Sequence, residues 1–470
     1  MYHRMEYVVK LGPHHSDTFQ SIIGILTGDS SPPGLWNIHF SDFSLLHRPD
    51  DIMFGNQPIS HVEQVDDIVL FSTSVQGLQE KLDALFDWCR ANLMTISKAK
   101  TKIWITGPLP SVLPTFKVGE NDLKCISKHK YVRITLSSTD RSIFKEHYYV
   151  KASKARKSVN ALFGAENFVG TIPPKDGIAI YMATVDPHLM SACGISIDID
   201  ATLLTQLECI QKLFICRLLG VANHSPIALL FSETGMSPVK YWQYALSLPE
   251  DHFLSIAMAQ SLTLACSKKS SWISDLARWL PSDIDNLITA VEQSCLMDID
   301  SFIIASSKAL LLRYRSLHQT DPSPTSETPV ASFRSYLNVP IPAHRKALVR
   351  LLTSSHTLAI EVLRWSEHCR LPVPHSQCLC HFCLSEVEDE VHALWYCKGS
   401  RSLEDLRSDF FKSAFLMATT HFADLLKSAV SGFEVLHIVL GADDMKIVGA
   451  LVKYVFNVFR IFSTIPLYCL

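Results

Sequence analysis

Four residues near the C-terminus have the types and spacing of a metal site. Cys380-His-Phe-Cys383 is followed by His392 and then Cys397, a Cys-x2-Cys-x8-His-x4-Cys pattern. A Cys-x2-Cys turn lets two thiolates converge on one ion. A His and a Cys five apart at the start of a helix can supply the other half of a tetrahedral set, the arrangement that zinc prefers. Four protein ligands leave no open position, so the site is expected to be closed and structural. Cys378, His375 and His381 lie close enough to substitute for a ligand, and residue-level assignment stays open. A second constellation is Gln64-Val-Asp66-Asp67, with β-prone apolar runs on both sides. Folded back as a hairpin, it would place two adjacent carboxylates at the tip, the chemistry that binds hard divalent cations such as magnesium. Asp is also a common turn residue, which gives the same pair a purely local explanation.

The elements that must position these residues are legible in outline. Asp51 to Phe54 and Pro58 to Gln64 flank Gly55-Asn56, a hairpin signal. From Ser74 to Leu93, Leu78, Leu82, Leu85, Phe86 and Cys89 form one helical stripe, with Gln79, Glu80 and Asp83 on the other side. Thr101 to Gly107 reads as a strand, and shorter strand signals follow at 115–118 and 131–136. Hairpin, helix and strand in this order predict an α+β layer in which the helix covers an antiparallel sheet. Upstream, Gly24 to Pro33 reads as a turn-rich loop with Ser31 as a helix cap. A helix is expected over Leu35 to Leu46, with Leu35, Ile38 and Phe43 as its apolar positions. From 144 to about 315 the pattern is mostly helical. Its first helix is strongly basic, with Lys145, Lys151, Lys154, Arg156 and Lys157, while Tyr148, Ala152, Ala155 and Val159 keep a separate apolar face. Asp321 to Pro329 is polar and proline-rich and reads as a linker. The remainder is helical apart from the cysteine cluster.

The chain has 470 residues, a net charge of −3 and 47% hydrophobic residues, which argues for ordered globular units and against a disordered chain. Contact with nucleic acid would therefore depend on local basic patches. The N-terminal residues lack the apolar stretch of a secretory signal. The longest apolar stretch, Ile447 to Phe462, is interrupted by Lys453 and Arg460 and reads as a buried helix, not a membrane span. Thirteen cysteines, mostly scattered singly, fit reduced thiols plus one metal site better than a disulfide framework. These features point to an intracellular protein, nuclear or cytoplasmic, neither secreted nor in a membrane.

In the order of its motifs the chain resembles a reverse transcriptase of the non-LTR retrotransposon (LINE-like) type, particularly fungal forms. Gly24-Ile-Leu-Thr-Gly-Asp-Ser-Ser-Pro-Pro-Gly-Leu-Trp-Asn37 looks like the family's loop and helix beneath the incoming nucleotide, which would give Gly28, Asp29 and Asn37 nucleotide or template contacts. Gln64-Val-Asp-Asp67 looks like the hairpin tip with the paired magnesium-binding aspartates, Asp66 and Asp67. Ile96 to Thr101 looks like the lysine-bearing loop, with Lys100 as a general acid, and Tyr131-Val-Arg-Ile134 like the hairpin that grips the primer. Val185-Asp-Pro-His188 and Ser232 to Pro238 resemble the helical region that follows the palm. The cysteine segment resembles the zinc segment near the C-terminus of many such proteins.

The resemblance implies an α+β fold: a partial polymerase palm over 1–136, a thumb-like helical region over 137–318, a linker at 319–330, and a helical C-terminal domain over 331–470 holding the zinc site. It implies magnesium-dependent RNA-directed DNA polymerisation, RNA and DNA as partners, and Lys151, Lys154 and Lys157 on the nucleic-acid backbone. The chain departs from the pattern in ways that bear on activity, among them Ser97 where the family usually has Asn. The strand with the family's first metal-binding carboxylate, and the fingers before it, are not matched upstream of Gly24. Arg133 stands where the primer grip usually has Gly. Three carboxylates normally share two ions, so two alone predict weak or absent polymerisation. The alternative is a non-catalytic nucleic-acid-binding or assembly module that keeps the basic helix and the zinc site.

Overall fold

The computed structural model describes residues 6–20, 32–54, 57–107, 110–140, 142–192, 201–239, 287–312, 330–365, 371–417, 419–441 and 444–467. The loop with Gly28, Asp29 and Ser31, the Gly55-Asn56 turn and the linker through residue 329 lie outside this set. The fold is α+β, with small sheets in the first part and helices in the second. It divides into two compact units at His147 and Tyr148.

The first unit opens with two short antiparallel pairs, β1 (Glu6–Tyr7) with β4 (Phe19–Gln20) and β2 (Lys10–Leu11) with β3 (His14–His15). Helix α1 spans Pro32–Phe40 and ends earlier than the sequence suggests. Its inward face is also different. Leu35 and Ile38 are exposed, whereas Phe40 and Phe43 are buried. Trp36 and Phe40, four apart on one face, stack on each other, and Phe40 meets Trp88 edge-on at 4.7 Å. The aromatic spacing therefore outweighs the aliphatic one.

The expected hairpins form. Strand β5 (Ile52–Phe54) pairs with β6 (Gln57–Ile59), and β7 (His61–Gln64) pairs with β8 (Asp67–Leu70). Helix α2 (Val75–Ala91) is capped by Ser74, whose hydroxyl accepts from the Gly77 N–H at 3.0 Å. Leu82, Leu85 and Cys89 are buried along it as the stripe predicts.

The sheet that α2 covers departs from expectation. Strands β9 (Lys102–Trp104), β10 (Phe116–Val118) and β11 (Asn121–Ile126) form a mixed sheet in the order β10-β11-β9, in which β11 runs parallel to β9. Among the described residues β7 and β8 pair only with each other, so the antiparallel palm sheet inferred from sequence is replaced by several small sheets. Strand β11 escaped sequence reading because Asn121, Asp122 and Lys124 break the β-prone pattern. Leu123 alone is buried there, joining Leu82, Ile103, Phe116 and Val118 in one core, with Leu70 packed against it. A final hairpin, β12 (Lys128–Tyr131) with β13 (Ile134–Ser137), ends the unit's strands.

An ion pair that sequence reading missed fixes α2 to the hairpins. Lys81, on the buried side of the helix, pairs with Asp51, and its Nζ also donates to the Phe71 carbonyl at 2.6 Å. Asp51 accepts in addition from the Arg48 N–H at 3.0 Å. Burial alone would raise the Asp51 carboxyl, but hydrogen bonding from Lys81 and Arg48 outweighs it and holds the carboxyl below its usual value.

The second unit is helical: α3 (Lys145–Gly164) leads into it, followed by α4 (Glu166–Val169), α5 (Pro174–Thr184), α6 (Asp186–Leu189), α7 (Ala201–Leu219), α8 (Ile227–Thr234) and α9 (Leu287–Ala305). After residue 330 come α10 (Pro342–Leu352), α11 (Ala359–Val362), α12 (Arg401–Met417), α13 (Thr420–Ser428), α14 (Gly432–Leu440) and α15 (Met445–Phe462). The apolar C-terminal stretch is a buried helix, as its two charges imply. Val448, Leu451, Val455 and Val458 are almost wholly buried on α15, and no described helix is long and apolar enough to cross a membrane.

The separate C-terminal domain inferred from the linker is not observed. Residues on both sides of it belong to one unit. Glu233 at the end of α8 is fully buried and bonds the Tyr336 hydroxyl, while Arg334 Nε lies 3.7 Å from its other oxygen. The Arg334 N–H donates to the Glu233 carbonyl, and Ser232 Oγ donates to the Val330 carbonyl at 2.7 Å. Gly235, at a φ of +68°, lets that segment approach, since a Cβ there would lie 2.9 Å from the Phe333 nitrogen. The Ser232-Glu-Thr-Gly235 motif thus does structural work: it clasps the chain beyond the linker.

Asp51→Asn should destabilise the first unit by about 3 kcal/mol or more, because it leaves the Lys81 ammonium buried without its counter-charge. Since the Asp51 carboxyl is held low, the wild-type advantage should be complete above the ordinary carboxylate pKa and lost as pH falls through the lowered value. Urea melts of both proteins between neutral and strongly acidic pH would test this. Equal midpoints at neutral pH would rule it out.

Candidate metal centre

The zinc-type residues converge. The ligand atoms of Cys380, Cys383, His392 and Cys397 all lie within 4.8 Å of one another. Cys380 Sγ is 3.7 Å from Cys397 Sγ, and Cys383 Sγ is 3.4 Å from His392 Nε2. Ordinary zinc bond lengths at tetrahedral angles give edges of about 3.8 Å for sulfur–sulfur and about 3.5 Å for sulfur–nitrogen. The donor set and its spacing therefore fit a metal ion such as zinc. Among the described residues this is the one group of three or more such ligands.

Backbone geometry explains how each ligand arrives. Leu384 N–H donates to the Cys380 carbonyl and Cys380 N–H to the Glu386 carbonyl, both at 2.8 Å, folding the first two cysteines into a knuckle. Leu384 takes a φ of +56° there. His392–Tyr396 forms a π-helical turn, and the Cys397 N–H closes it on the His392 carbonyl at 2.8 Å. An α-helix would turn positions i and i+5 to different faces. The wider i→i+5 turn brings His392 and Cys397 to the same side. Asp389 caps this turn, its Oδ1 accepting from the His392 N–H at 2.7 Å.

The alternative ligands are placed elsewhere. Cys378 is buried against Ala359 and Leu363, and His375 is exposed in a short 3-10 turn. His381 Nδ1 lies 2.7 Å from Glu388 Oε2 in a contact not aligned as a hydrogen bond, and its ring packs on Phe382 and Phe462.

Glu388, which sequence reading passed over, braces the centre. Fully buried, it accepts from the Ala359 N–H at 2.8 Å through Oε1 and from the His381 N–H at 3.1 Å through Oε2. Arg407 on α12 donates to the carbonyls of Leu394 and Cys397, and the Tyr454 hydroxyl of α15 donates to Leu394 as well. Gly399 was also missed. A Cβ there would lie 2.5 Å from the Phe382 carbonyl carbon, so only glycine lets the chain leaving Cys397 pass the knuckle. Its position two residues after the last ligand was the available signal.

Hydrogen bonding with Cys397, and burial, push the Cys380 thiol up to about 12, while the same bond lowers Cys397. Ligand thiols must lose their protons to bind a metal ion, so acidification should weaken binding.

The hairpin tip is built differently. Gln64 pairs with Asp67, leaving Val65 and Asp66 as a two-residue turn. Gln64, Asp66 and Asp67 are exposed. Among the described residues no third His, Cys, Asp or Glu joins the two aspartates in a ligand group. Magnesium binding there gains no support. Val65, a β-branched residue, has a φ of +56°, a strained choice for such a side chain. The Tyr131 hydroxyl, from the β12–β13 hairpin, points to the Asp67 carbonyl at 3.5 Å. Burial and the Asp67 charge raise the Tyr131 phenol. In that second hairpin Val132 and Arg133 both have positive φ, as a type I′ turn requires. Lys100 is exposed in a turn, its N–H bonded to the Ser97 carbonyl, and Asn37 is exposed on α1.

The basic helix needs one correction. Lys154, Arg156 and Lys157 are exposed on α3, but Lys151 is 2% exposed, with its ammonium 4.7 Å above the Tyr148 ring. At i+3 from Tyr148 and i−4 from Ala155 it falls on the buried face. It is therefore a core lysine and not a backbone contact. Neither a family model nor a curated protein matches the chain.

Cys380→Ser and His392→Ala should each abolish stoichiometric zinc in the purified protein, while Cys378→Ser should leave it unchanged. Elemental analysis after dialysis decides between them, and metal loss in Cys378→Ser would reassign the site. Arg133→Gly should leave the first unit as stable or raise it by about 1 kcal/mol, by relieving a left-handed conformation. A clear fall in its melting midpoint would contradict the turn described.

Proposed function

We propose that this chain is a reverse-transcriptase-related protein of non-LTR retrotransposon type, acting on RNA and DNA, with weak or no polymerase activity of its own. The observation that carries the reading is the meeting of two hairpins. Tyr131 reaches the base of the Val65-Asp66 tip, so the segment resembling a primer grip lies beside the segment resembling the paired-aspartate tip. A strained, exposed residue at that tip adds to it, because such strain is retained mostly where position matters. The reading of weak activity rests on the two aspartates having no third ligand among the described residues. The cysteine centre would be a structural zinc site, closed by four protein ligands and braced by Glu388.

A second reading, a non-catalytic nucleic-acid-binding module, is favoured by the exposed cations of α3. Lys154, Arg156 and Lys157 are exposed on the solvent side of α3, away from the buried Tyr148, Ala155 and Val159. Clustered cations on a helix suit phosphate contacts, whose affinity falls steeply with salt.

Primer extension on an RNA template with magnesium tests the first reading. Little or no extension is expected, and robust extension abolished by Asp66→Ala would overturn the claim of weak activity. For the second, binding to single-stranded RNA should weaken in Lys154→Ala/Arg156→Ala/Lys157→Ala, with the salt slope reduced by about 2. Lys151→Ala should instead lower stability. An unchanged slope in the triple variant would remove α3 from the interface.

A further inference from the structure

The second unit holds a cavity of about 360 Å³ lined by residues including His224, Ser354, Ser355, His356, Glu361 and Trp365. Its volume is within the range of small-molecule sites. The feature that marks it is Glu361. This side chain is 6% exposed; Oε1 pairs with Arg364 at 2.5 Å, but buried Oε2 has no hydrogen-bond partner among the described residues. A buried carboxylate oxygen without a donor is costly, and in a cavity wall it is a vacancy for a ligand's N–H.

The surroundings restrict what that donor can be. Lys308 Nζ lies 4.4 Å from the Trp365 ring centroid, and Arg364 is on Glu361 itself. Burial, and the nearby charges of Lys308 and Lys212, lower His224. Lys308, Lys212 and Arg364 outnumber the carboxylates of Glu361 and of Glu390, which holds His356, so the surroundings carry a net positive charge that suits a ligand with a net negative one. The Trp365 ring, with His224 tilted beside it at 5.9 Å, offers an aromatic surface on which a planar heterocycle can stack.

We infer that this cavity binds a guanine nucleotide, with the base edge on Glu361 and the phosphate toward Lys308. Among the bases guanine alone offers two adjacent N–H donors on its pairing edge, one for the unpartnered Oε2 and one for the lone pair of Oε1 that Arg364 leaves. Adenine, cytosine and uracil each place an acceptor beside their donor, which would face the carboxylate unfavourably. The Trp365 ring supplies stacking that any base would share, so the selectivity lies in Glu361.

Calorimetric titration of the full chain with GMP, with AMP as comparison, tests this. GMP is expected to bind at least about tenfold more tightly than AMP, the scale of one charge-assisted hydrogen bond. Glu361→Gln keeps the side-chain shape but turns an amide NH₂ toward the base, and should erase that preference. Trp365→Leu should weaken GMP and AMP alike. Circular dichroism melts establish that each variant is folded. No binding of millimolar GMP, equal affinity for AMP, or an undiminished preference in folded Glu361→Gln would each overturn the proposal.

Discussion

A carboxylate taken out of water must be given partners, and in this protein those partners come from elsewhere in the chain. Asp51 draws Lys81 and its helix onto the hairpins. Glu233 draws in Tyr336 and Arg334 from beyond the linker. Glu388 takes the N–H of Ala359 and of His381, and buried Glu390 takes the His356 ring at 3.0 Å. Each would be destabilising if left alone. Together they specify which elements meet, while the surrounding Leu, Val and Phe supply the bulk of the burial without much selectivity.

What could be read from sequence divides along the same line. Local signals were clear: the helix that begins at Ser74, its Leu82–Leu85–Cys89 stripe, the chain reversal near Asp66 and the four metal ligands all depend on short spacings. The parallel pairing of β11 with β9 was not legible, because its strand carries polar residues on its exposed side and its partner lies beyond an intervening loop and hairpin. Charge misled in two places. Lys81 and Lys151 look like surface residues by type, yet each sits at an i+3 or i+4 step from buried neighbours. The helical phase of a lysine said more about its position than its charge did.

The two hairpin tips of the first unit show how a turn can run against its own residues. Val65 and Arg133 both occupy left-handed backbone that glycine adopts freely. Strand pairing on either side fixes each loop at two residues, so the conformation is imposed whatever the side chain. At 64–67 the result is an exposed pair of carboxylates on a stiff mount. At 131–134 it leaves Tyr131 directed at the first tip. Neither tip belongs to a larger sheet among the described residues.

The π-turn at His392–Tyr396 has a consequence for how this part of the chain can change in length. Four residues between His392 and Cys397 suffice only because the backbone there winds more widely than an α-helix. Adding one residue would carry Cys397 past that side; removing one would leave the pair at i and i+4, which share a face only if the turn tightens to α-helical pitch. Chain length here is quantised by the winding of the backbone. Substitutions within 393–396 answer to packing against Phe410 and Tyr454, whereas insertions and deletions answer to the ligands.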